Sequence, residues 1–261
     1  MKFPKKSLGQ NFLIDKNIIR KIVALVKIRN KNIIEIGAGK GALTDEILSL
    51  KPRSITLIEK DENLSQELKE KYFKNKNVKV ITADVLKFNL EKEVKANSII
   101  FGNLPYNISS QILVKILRFE TKRESFSDLI LMFQKELADK ITGKFNSINY
   151  SRISILSNYK LDVIKKFLVS YNCFFPKPKV TSEVIHFKPK KMNKYKIKNI
   201  CNLEKVTQII FSNKRKMINK RIKKVLTKTQ IEKIGKIKLN LRPADIEPEI
   251  YYKITELFEK N

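Results

Sequence analysis

The stretch of sequence that decides the fold runs from residue 32 to residue 42 and reads Asn-Ile-Ile-Glu-Ile-Gly-Ala-Gly-Lys-Gly-Ala. A β-branched run directly before a glycine-rich turn is typical of a buried strand that leads into a helix. Glycines at such a turn let the backbone approach a ligand closely at the strand end. Because Gly37, Gly39 and Ala42 also satisfy the dinucleotide-binding fingerprint, the loop alone predicts a nucleotide-like ligand without choosing one.

The same strand-then-helix pattern continues beyond this loop. Strands are predicted at residues 54–58, 78–82, 98–101 and 128–133, and apolar residues recur at helical spacing between them. Asp15 and Asp61 each precede a helical pattern and are predicted N-caps. This order predicts an α/β fold with a parallel sheet, whose ligand lies at the carboxyl ends of the strands. Two late runs, at residues 163–169 and 183–187, predict an antiparallel hairpin at the sheet edge.

The character of the sequence changes at residues 188–191, which read Lys-Pro-Lys-Lys. Strand patterns stop there, and three amphipathic helical patterns follow at residues 206–210, 218–226 and 250–258. We therefore predict an α/β domain at residues 1–189 and a small all-helical domain at residues 190–261.

Positive charge dominates the composition, since 55 Lys and Arg residues oppose 26 Asp and Glu residues for a net charge of +29. The Lys-, Asn- and Ile-rich composition explains part of this surplus as passive solvated surface. It does not explain the concentration between residues 190 and 236, where 16 Lys or Arg residues accompany only Glu204 and Glu232. That imbalance predicts a surface that binds a polyanion.

Several classes of protein are disfavoured. No run approaches the roughly 18 apolar residues of a membrane span, and the first residues lack the features of a signal or transit peptide, so a soluble cytoplasmic protein is expected. Cys173 and Cys201 lack metal-ligand spacing, and with His186 as the single histidine no metal site is expected. We interpret both cysteines as reduced thiols. His186 lies in an alternating strand-like run, which favours a structural role over a catalytic one.

Two carboxylates follow the next two predicted strands. Glu59 is placed to accept hydrogen bonds from both hydroxyls of a ribose, which suits a nicotinamide cofactor and S-adenosylmethionine equally well. Asp84 is placed either to accept a hydrogen bond from an adenine amine or to cap a turn. Nicotinamide enzymes do not require this second acid, so Asp84 favours S-adenosylmethionine.

The most specific segment ends the fourth strand and reads Asn103-Leu104-Pro105-Tyr106. The side-chain oxygen of Asn103 and the carbonyl of Leu104 are suited to accept both hydrogens of a planar amine, and Tyr106 is suited to stack on its ring. Two acceptors localise the lone pair on the amine nitrogen, which predicts methyl transfer to that nitrogen. An ordinary proline turn would explain neither the adjacent tyrosine nor the strand-end position.

With these residues the chain resembles the KsgA family, the small-subunit ribosomal RNA adenine dimethyltransferases. The resemblance runs nearly end to end, through the glycine loop, Glu59, Asp84 and residues 8–13, 103–109, 134–136, 175–182, 214–216 and 241–245. It implies a Rossmann-like class I methyltransferase sheet, S-adenosylmethionine as cofactor and no metal. It also implies dimethylation of two adjacent adenines in a hairpin loop near the 3′ end of small-subunit ribosomal RNA. We accordingly expect a monomeric enzyme of ribosome biogenesis that acts on small-subunit precursors.

The resemblance also implies a role for each site residue. Tyr106 and Phe175 would sandwich the target adenine, although Phe175 on its own fits a core aromatic equally well. The catalytic segment would be Asn103, Leu104, Pro105 and Tyr106. The cofactor site would be formed by Asn11, Leu13, Gly37, Gly39, Glu59, Asp84 and Asn103. The helical domain would bind RNA through Lys214, Arg215, Lys216, Lys220 and Arg221.

Two departures and three alternatives accompany the resemblance. The family commonly has two arginines where this chain has Lys214-Arg215, and uncharged residues are common at the position of Lys40. The erythromycin-resistance methylases, which modify large-subunit RNA, share several motifs but usually carry Ile where Leu104 stands. A non-catalytic ribosome assembly factor and a nicotinamide oxidoreductase stay open, although the oxidoreductase leaves residues 103–106 unexplained.

Overall fold

The computed structural model describes residues 10–119, 126–191, 193–234 and 239–260. Leu8 and Gly9, which belong to the first segment of the resemblance, lie outside the described residues. The chain forms two compact units. The first contains residues up to 138 together with residues 162–189, and the second contains residues 139–161 and the chain from residue 190 onward.

The first unit contains two sheets, whose strands are β1 (Phe12–Leu13), β2 (Asn32–Ile36), β3 (Ser54–Glu59), β4 (Val78–Thr82), β5 (Ser98–Asn103), β6 (Phe126–Gln134), β7 (Leu161–Val169), β8 (Phe174–Phe175) and β9 (Ser182–Pro189). The larger sheet has seven strands in the order β4-β3-β2-β5-β6-β9-β7. The helices between them are α1 (Lys16–Val23), α2 (Ala42–Ser49), α3 (Glu62–Lys71), α4 (Ser109–Leu117) and α5 (Lys135–Ile141).

Strands β2 to β6 run parallel, which confirms the predicted α/β sheet. Their central residues, such as Ile34, Leu57 and Ile100, are almost fully buried, as expected for strands covered on both faces. The parallel arrangement brings the carboxyl ends of β2, β3, β4 and β5 to one edge of the sheet. That edge receives the glycine loop, Glu59 and Asn103.

Helix capping follows the sequence closely. The Asp15 carboxylate accepts hydrogen bonds from the N–H groups of Asn17 and Ile18, at 2.9 and 3.0 Å, at the start of α1. Asp61 caps α3 in the same way. Each cap satisfies backbone N–H groups that the first helical turn leaves without partners, so both helices begin where predicted.

The late strands form the far edge of the sheet. β9 pairs antiparallel with β6 and separates it from β7, so the two late runs are neighbours at the sheet edge, as predicted. His186 on β9 is buried, and its Nε2 lies 2.7 Å from Oδ1 of Asp128 on β6. The histidine therefore takes part in cross-strand pairing inside the sheet.

A second, two-stranded sheet joins β1 to β8. Phe12 pairs with Phe175 and Leu13 pairs with Phe174 in antiparallel register. These segments lie more than half the chain apart, so neither of these two-residue strands carried a periodic signal of its own. The pairing brings the segment before α1 beside the segment before β9.

The second unit is helical and contains α6 (Arg152–Lys160), α7 (Ile200–Phe211), α8 (Asn219–Ile222), α9 (Lys228–Ile234) and α10 (Pro248–Phe258). The residues of this unit differ from those of the predicted helical domain, because residues 139–161 belong to it and not to the unit that contains the sheet. The physical reason is the packing of α6. The ring of Tyr159 lies 5.0 Å from that of Tyr252 on α10, and the Tyr252 hydroxyl donates to the carbonyl of Ile155 at 3.1 Å.

The helical pattern predicted at residues 218–226 is shorter in the structure. Only Asn219–Ile222 form a helix, and turns follow before α9 begins. Ile222, Val225 and Leu226 are nevertheless all buried, so the apolar positions serve the core without a continuous helix. In the part of the chain that the structure describes, no helix is both long and apolar enough to cross a membrane.

Candidate active site

A cavity of about 140 Å³ opens at the carboxyl edge of the parallel strands. It brings together nine of the predicted site residues, namely Asn11, Gly37, Gly39, Glu59, Asp84, Asn103, Leu104, Pro105 and Tyr106. A neighbouring cavity of about 300 Å³ is lined by Leu13 and shares Gly37, Gly39 and Asn103 with the first. Five segments that are distant in sequence therefore meet at one edge of the sheet.

The glycine loop makes room for close approach. Gly37 and Gly39 have φ values of +74° and +57°, a region that L side chains rarely adopt. A Cβ atom at Gly39 would lie 3.1 Å from the ring of Phe12. The loop thus packs its bare backbone against β1 at the border between the two cavities.

Glu59 is buried at the end of β3. Its Oε2 accepts a hydrogen bond from the N–H of Gly39, and its Oε1 accepts one from the N–H of Asp61, both at 2.9 Å. Burial raises the pKa of Glu59, and these backbone donors oppose that rise. A carboxylate offers about four acceptor positions, so Glu59 retains capacity for ribose hydroxyls while the glycine loop fixes its orientation.

Asp84 carries an ion pair. Its Oδ2 lies 2.9 Å from Nζ of Lys60, and its Oδ1 accepts a hydrogen bond from the N–H of Leu86 at 2.9 Å. The Lys60 ammonium and the Leu86 N–H hold the pKa of Asp84 below its usual value. The carboxylate therefore caps its own turn and presents an ionised acceptor at the cavity.

Asn103 is held by a long-range hydrogen bond. Its Nδ2 donates to the carbonyl oxygen of Asn11 at 3.1 Å, which uses the amide nitrogen and leaves Oδ1 as an acceptor for an incoming amine. The following Leu104 is buried, so the segment is anchored where it leaves β5. Asn11 thus orients the amide on which the predicted chemistry depends.

Two aromatic residues of the predicted base site are positioned differently. The hydroxyl of half-buried Tyr106 lies 2.6 Å from the hydroxyl of Ser182, at the start of β9. Phe175 is 55% exposed, which disfavours the core reading, and it pairs with Phe12 across the small sheet. Phe175 lines neither of the two cavities described above.

Sequence reasoning missed four residues of this site. Phe12, Lys60 and Ser182 contact the predicted residues, and Lys115 bonds to the turn that follows Asp84, yet none of the four was assigned a role. Phe12 and Ser182 lie inside segments 8–13 and 175–182, so their positions were signalled although their contacts were not. Lys60 and Lys115 carried no signal, because their partners lie on other elements.

The cationic residues of the second unit fall into two groups. Lys214, Arg215, Lys216 and Lys220 are exposed. Arg221 instead donates from Nε to Oγ of Ser212 at 3.0 Å and from Nη1 to the carbonyl of Met217 at 3.2 Å. The Arg221 guanidinium therefore braces the loop that displays residues 214–216.

Metal chemistry has no visible site in the described residues. Among them, no group of three or more His, Cys, Asp or Glu side chains is arranged to hold an ion. Cys173 and Cys201 are free thiols. The cavity offers acceptors, glycine backbone and apolar walls, which suit a nucleoside-containing ligand and a planar amine.

Comparisons with known proteins show which family the chain resembles. The family model described as ribosomal RNA adenine dimethylase matches residues 2–260. A ribosomal RNA small subunit methyltransferase A from Pelagibacter ubique is 45% identical over 98% of this chain and 97% of its own length. The protein of the same name from Malacoplasma penetrans is 40% identical over 97% of this chain and 91% of its own length.

Solved structures share the fold. A dimethyladenosine transferase from Plasmodium falciparum superposes with a TM-score of 0.77 at 23% identity, covering 95% of this chain and 98% of its own. The 23S rRNA methyltransferase ErmE superposes with a TM-score of 0.69 at 22% identity, covering 95% of this chain and 99% of its own. A family model that spans almost every residue, together with relatives of this identity, leads to one conclusion: this chain belongs to the ribosomal RNA adenine dimethylase family.

Proposed function

We propose that this protein uses S-adenosylmethionine to dimethylate the exocyclic amines of two adjacent adenines in a hairpin loop near the 3′ end of small-subunit ribosomal RNA. We further propose that it acts as a cytoplasmic monomer on small-subunit precursors during ribosome biogenesis. One observation carries the proposal. The Asn11 carbonyl holds the Asn103 amide in a cavity that also contains Glu59 and Asp84.

The residues of the cavity fit S-adenosylmethionine. The buried Glu59 carboxylate suits the ribose hydroxyls, and the ionised Asp84 suits the adenine amine. Gly37 and Gly39 offer bare backbone beside the cavity. When bound, S-adenosylmethionine would supply a methyl group activated on its sulfonium, and transfer of that group to the adenine amine would break the sulfur–methyl bond and release S-adenosylhomocysteine.

The residues at the end of β5 would activate the target amine. Asn103 Oδ1 and the Leu104 carbonyl accept its two hydrogens, so the lone pair stays on nitrogen and is not drawn into the purine ring. As the new N–C bond forms, positive charge grows on that nitrogen, and the same two acceptors stabilise it without rearrangement. The proton then leaves to water, and no side chain needs to act as a nucleophile.

The aromatic residues would hold the target base. An adenine in a stacked hairpin loop hides its amine, so it must leave the stack to reach a pocket at the end of a sheet. Tyr106, fixed by Ser182, and the exposed ring of Phe175 supply faces on which such a base can stack. Each adenine must receive two methyl groups in succession, each from a separate molecule of S-adenosylmethionine.

The second unit would bind the RNA backbone. Lys214, Arg215, Lys216 and Lys220 are exposed and carry the charge that phosphates attract. Binding through phosphate contacts depends steeply on salt, because each contact releases condensed counterions. Shape, more than base-edge reading, would select the hairpin.

Transfer of labelled methyl groups tests the proposal. Small ribosomal subunits that lack the modification are incubated with the protein and labelled S-adenosylmethionine, with large subunits and Asn103→Ala protein as controls. Dimethyladenosine mapped to the 3′ hairpin of the small-subunit RNA is the expected result. Label confined to large-subunit RNA would reassign the substrate, and tight subunit binding without label would indicate a non-catalytic assembly factor.

A further inference from the structure

Two lysines from other elements bond to the turn that carries Asp84. Lys60, directly after β3, pairs its ammonium with Oδ2 of Asp84 at 2.9 Å. Lys115, on α4, donates from Nζ to the carbonyl oxygens of Leu86 at 2.8 Å and Phe88 at 2.6 Å. One lysine holds the carboxylate, and the other holds the backbone that follows it.

Hydrogen bonds inside the turn connect the contact made by Lys60 with the contacts made by Lys115. The N–H of Leu86 donates to Oδ1 of Asp84 at 2.9 Å, and the N–H of Phe88 donates to the Asp84 carbonyl at 2.8 Å. Residues 86 and 88 therefore bond to Lys115 through their carbonyls and to Asp84 through their N–H groups. Lys115 is thus linked through Leu86 to the Asp84 carboxylate and through Phe88 to the Asp84 carbonyl.

Lys115 does not itself line the cavity, but it lies one turn along α4 from a residue that does. Ile108 and Ile112 both line it, and Lys115 follows Ile112 by three residues, so the two side chains are neighbours on the helix. Burial lowers the pKa of the Lys115 ammonium, which is half-buried beside the turn. Charge-assisted bonds to two carbonyls offset that loss of hydration and make the contact specific.

We propose that Lys115 is a positioning residue for the cofactor, which fixes the turn at residues 84–88 and thereby aims the Asp84 carboxylate at the adenine amine. The inference rests on the proposed function, because it deepens the role of the cofactor end of the same site. Helix α4 would then have two roles. It carries Lys115, and it follows directly after the segment that would activate the target base.

A pair of ligands separates positioning from general stability. S-adenosylhomocysteine carries the adenine amine, whereas S-inosylhomocysteine has a carbonyl oxygen in its place and cannot donate a hydrogen bond to the Asp84 carboxylate from that position. Dissociation constants for both are measured by calorimetry with the full-length protein. Wild type should prefer S-adenosylhomocysteine. Lys115→Met should raise the dissociation constant of S-adenosylhomocysteine about fivefold to tenfold, the scale of one or two lost hydrogen bonds. It should leave the dissociation constant of S-inosylhomocysteine within about twofold of the wild-type value.

Matched variants complete the test. Lys115→Arg retains donors for both carbonyls and should restore the preference, while Lys92→Met removes an exposed lysine nearby and should change neither constant. The inference would be overturned if Lys115→Met weakened the binding of both ligands equally, or weakened the binding of neither.

Asp84→Asn separates this inference from the function. The variant should lose the preference for the amine. If it keeps the full preference, the role given to Asp84 falls and the inference about Lys115 falls with it. Methyl transfer by the wild-type protein to small-subunit RNA decides the proposed function independently of both results.

Discussion

The hydroxyl of Tyr106 lies 2.6 Å from the hydroxyl of Ser182, which joins the segment after β5 to the first residue of β9. Ser182 is fully buried and Tyr106 is half-buried, so the bond is sheltered from water. Burial raises the pKa of Tyr106, which keeps its phenol protonated and able to donate. The contact fixes the tilt of a ring that is proposed to stack on the target base.

Removing either hydroxyl should slow methyl transfer by a similar factor. We expect Tyr106→Phe and Ser182→Ala each to lower kcat about fivefold, the scale of one hydrogen bond, in single-turnover assays on small-subunit RNA. Because both changes break the same bond, the double variant should be no slower than either single variant. Additive effects would contradict the coupling, and Tyr171→Phe, at an exposed tyrosine, serves as the matched control.

Loss of the Asn103 amide should act on the chemical step. We expect Asn103→Ala to lower kcat about 10²- to 10³-fold, as for other preorganised groups that stabilise developing charge. Affinity for S-adenosylhomocysteine should fall much less, because Glu59 and Asp84 remain. Asn75→Ala changes an exposed asparagine that lines neither cavity and should be nearly silent. A large loss of cofactor binding with an unchanged kcat would contradict the assignment.

Neutralising the exposed cluster on the second unit should weaken RNA binding. We expect Lys214→Gln, Arg215→Gln and Lys216→Gln together to raise the Kd for small-subunit RNA and to reduce the salt slope by about one per lost phosphate contact. Affinity for S-adenosylmethionine should not change. The control variant combines Lys74→Gln, Lys76→Gln and Lys92→Gln, which remove the same amount of charge from exposed positions on the first unit. An equal loss in that control would show a general charge effect and no local site.

Glu35 should make stability depend on pH. It is buried at the end of β2, where burial raises its pKa from 4.5 to about 8, against the opposing hydrogen bond from Thr44 Oγ1 at 2.7 Å. The folded-state pKa lies above the unfolded one. The stability associated with the neutral acid is therefore present below pH 4.5 and is lost as the pH rises toward 8.

Glu35→Gln should remove that dependence. We expect the variant to gain stability over wild type as the pH rises through this interval, with an upper limit of about 1.4 kcal/mol per pH unit. Urea unfolding at several pH values measures the difference. Glu62→Gln, at an exposed position, should follow the wild-type curve. Parallel curves for Glu35→Gln and wild type would exclude Glu35 as the source.

The sheet was predictable because parallel strands buried on both faces leave long apolar runs. Ile33, Ile34 and Ile36 are all buried, and that run alone located β2 and the loop after it. The caps at Asp15 and Asp61 were predictable for a similar reason, since an N-cap is decided by residues within one turn.

Features that depend on partners distant in sequence were not predictable in the same way. The predicted boundary at residue 189 left residues 139–161 in the wrong unit. They belong to the helical unit because Tyr159 packs against an aromatic ring on α10. The grip of Lys115 on residues 86 and 88 escaped notice because a lysine on a helix usually signals solvent. For the active site, motif residues were foreseen while the residues that orient them were not.

The pairing of Phe12 with Phe175 joins positions that leave the ribosome far apart in time. Chains begin to fold from the amino terminus during synthesis, but contacts between distant segments must wait for the later one. A nascent chain could therefore form much of the parallel core while the partner of β1 is still being made. With Phe175 in its proposed role of stacking on the target base, the site would be complete only after residue 175 has emerged, and a shorter nascent chain would lack this part of it.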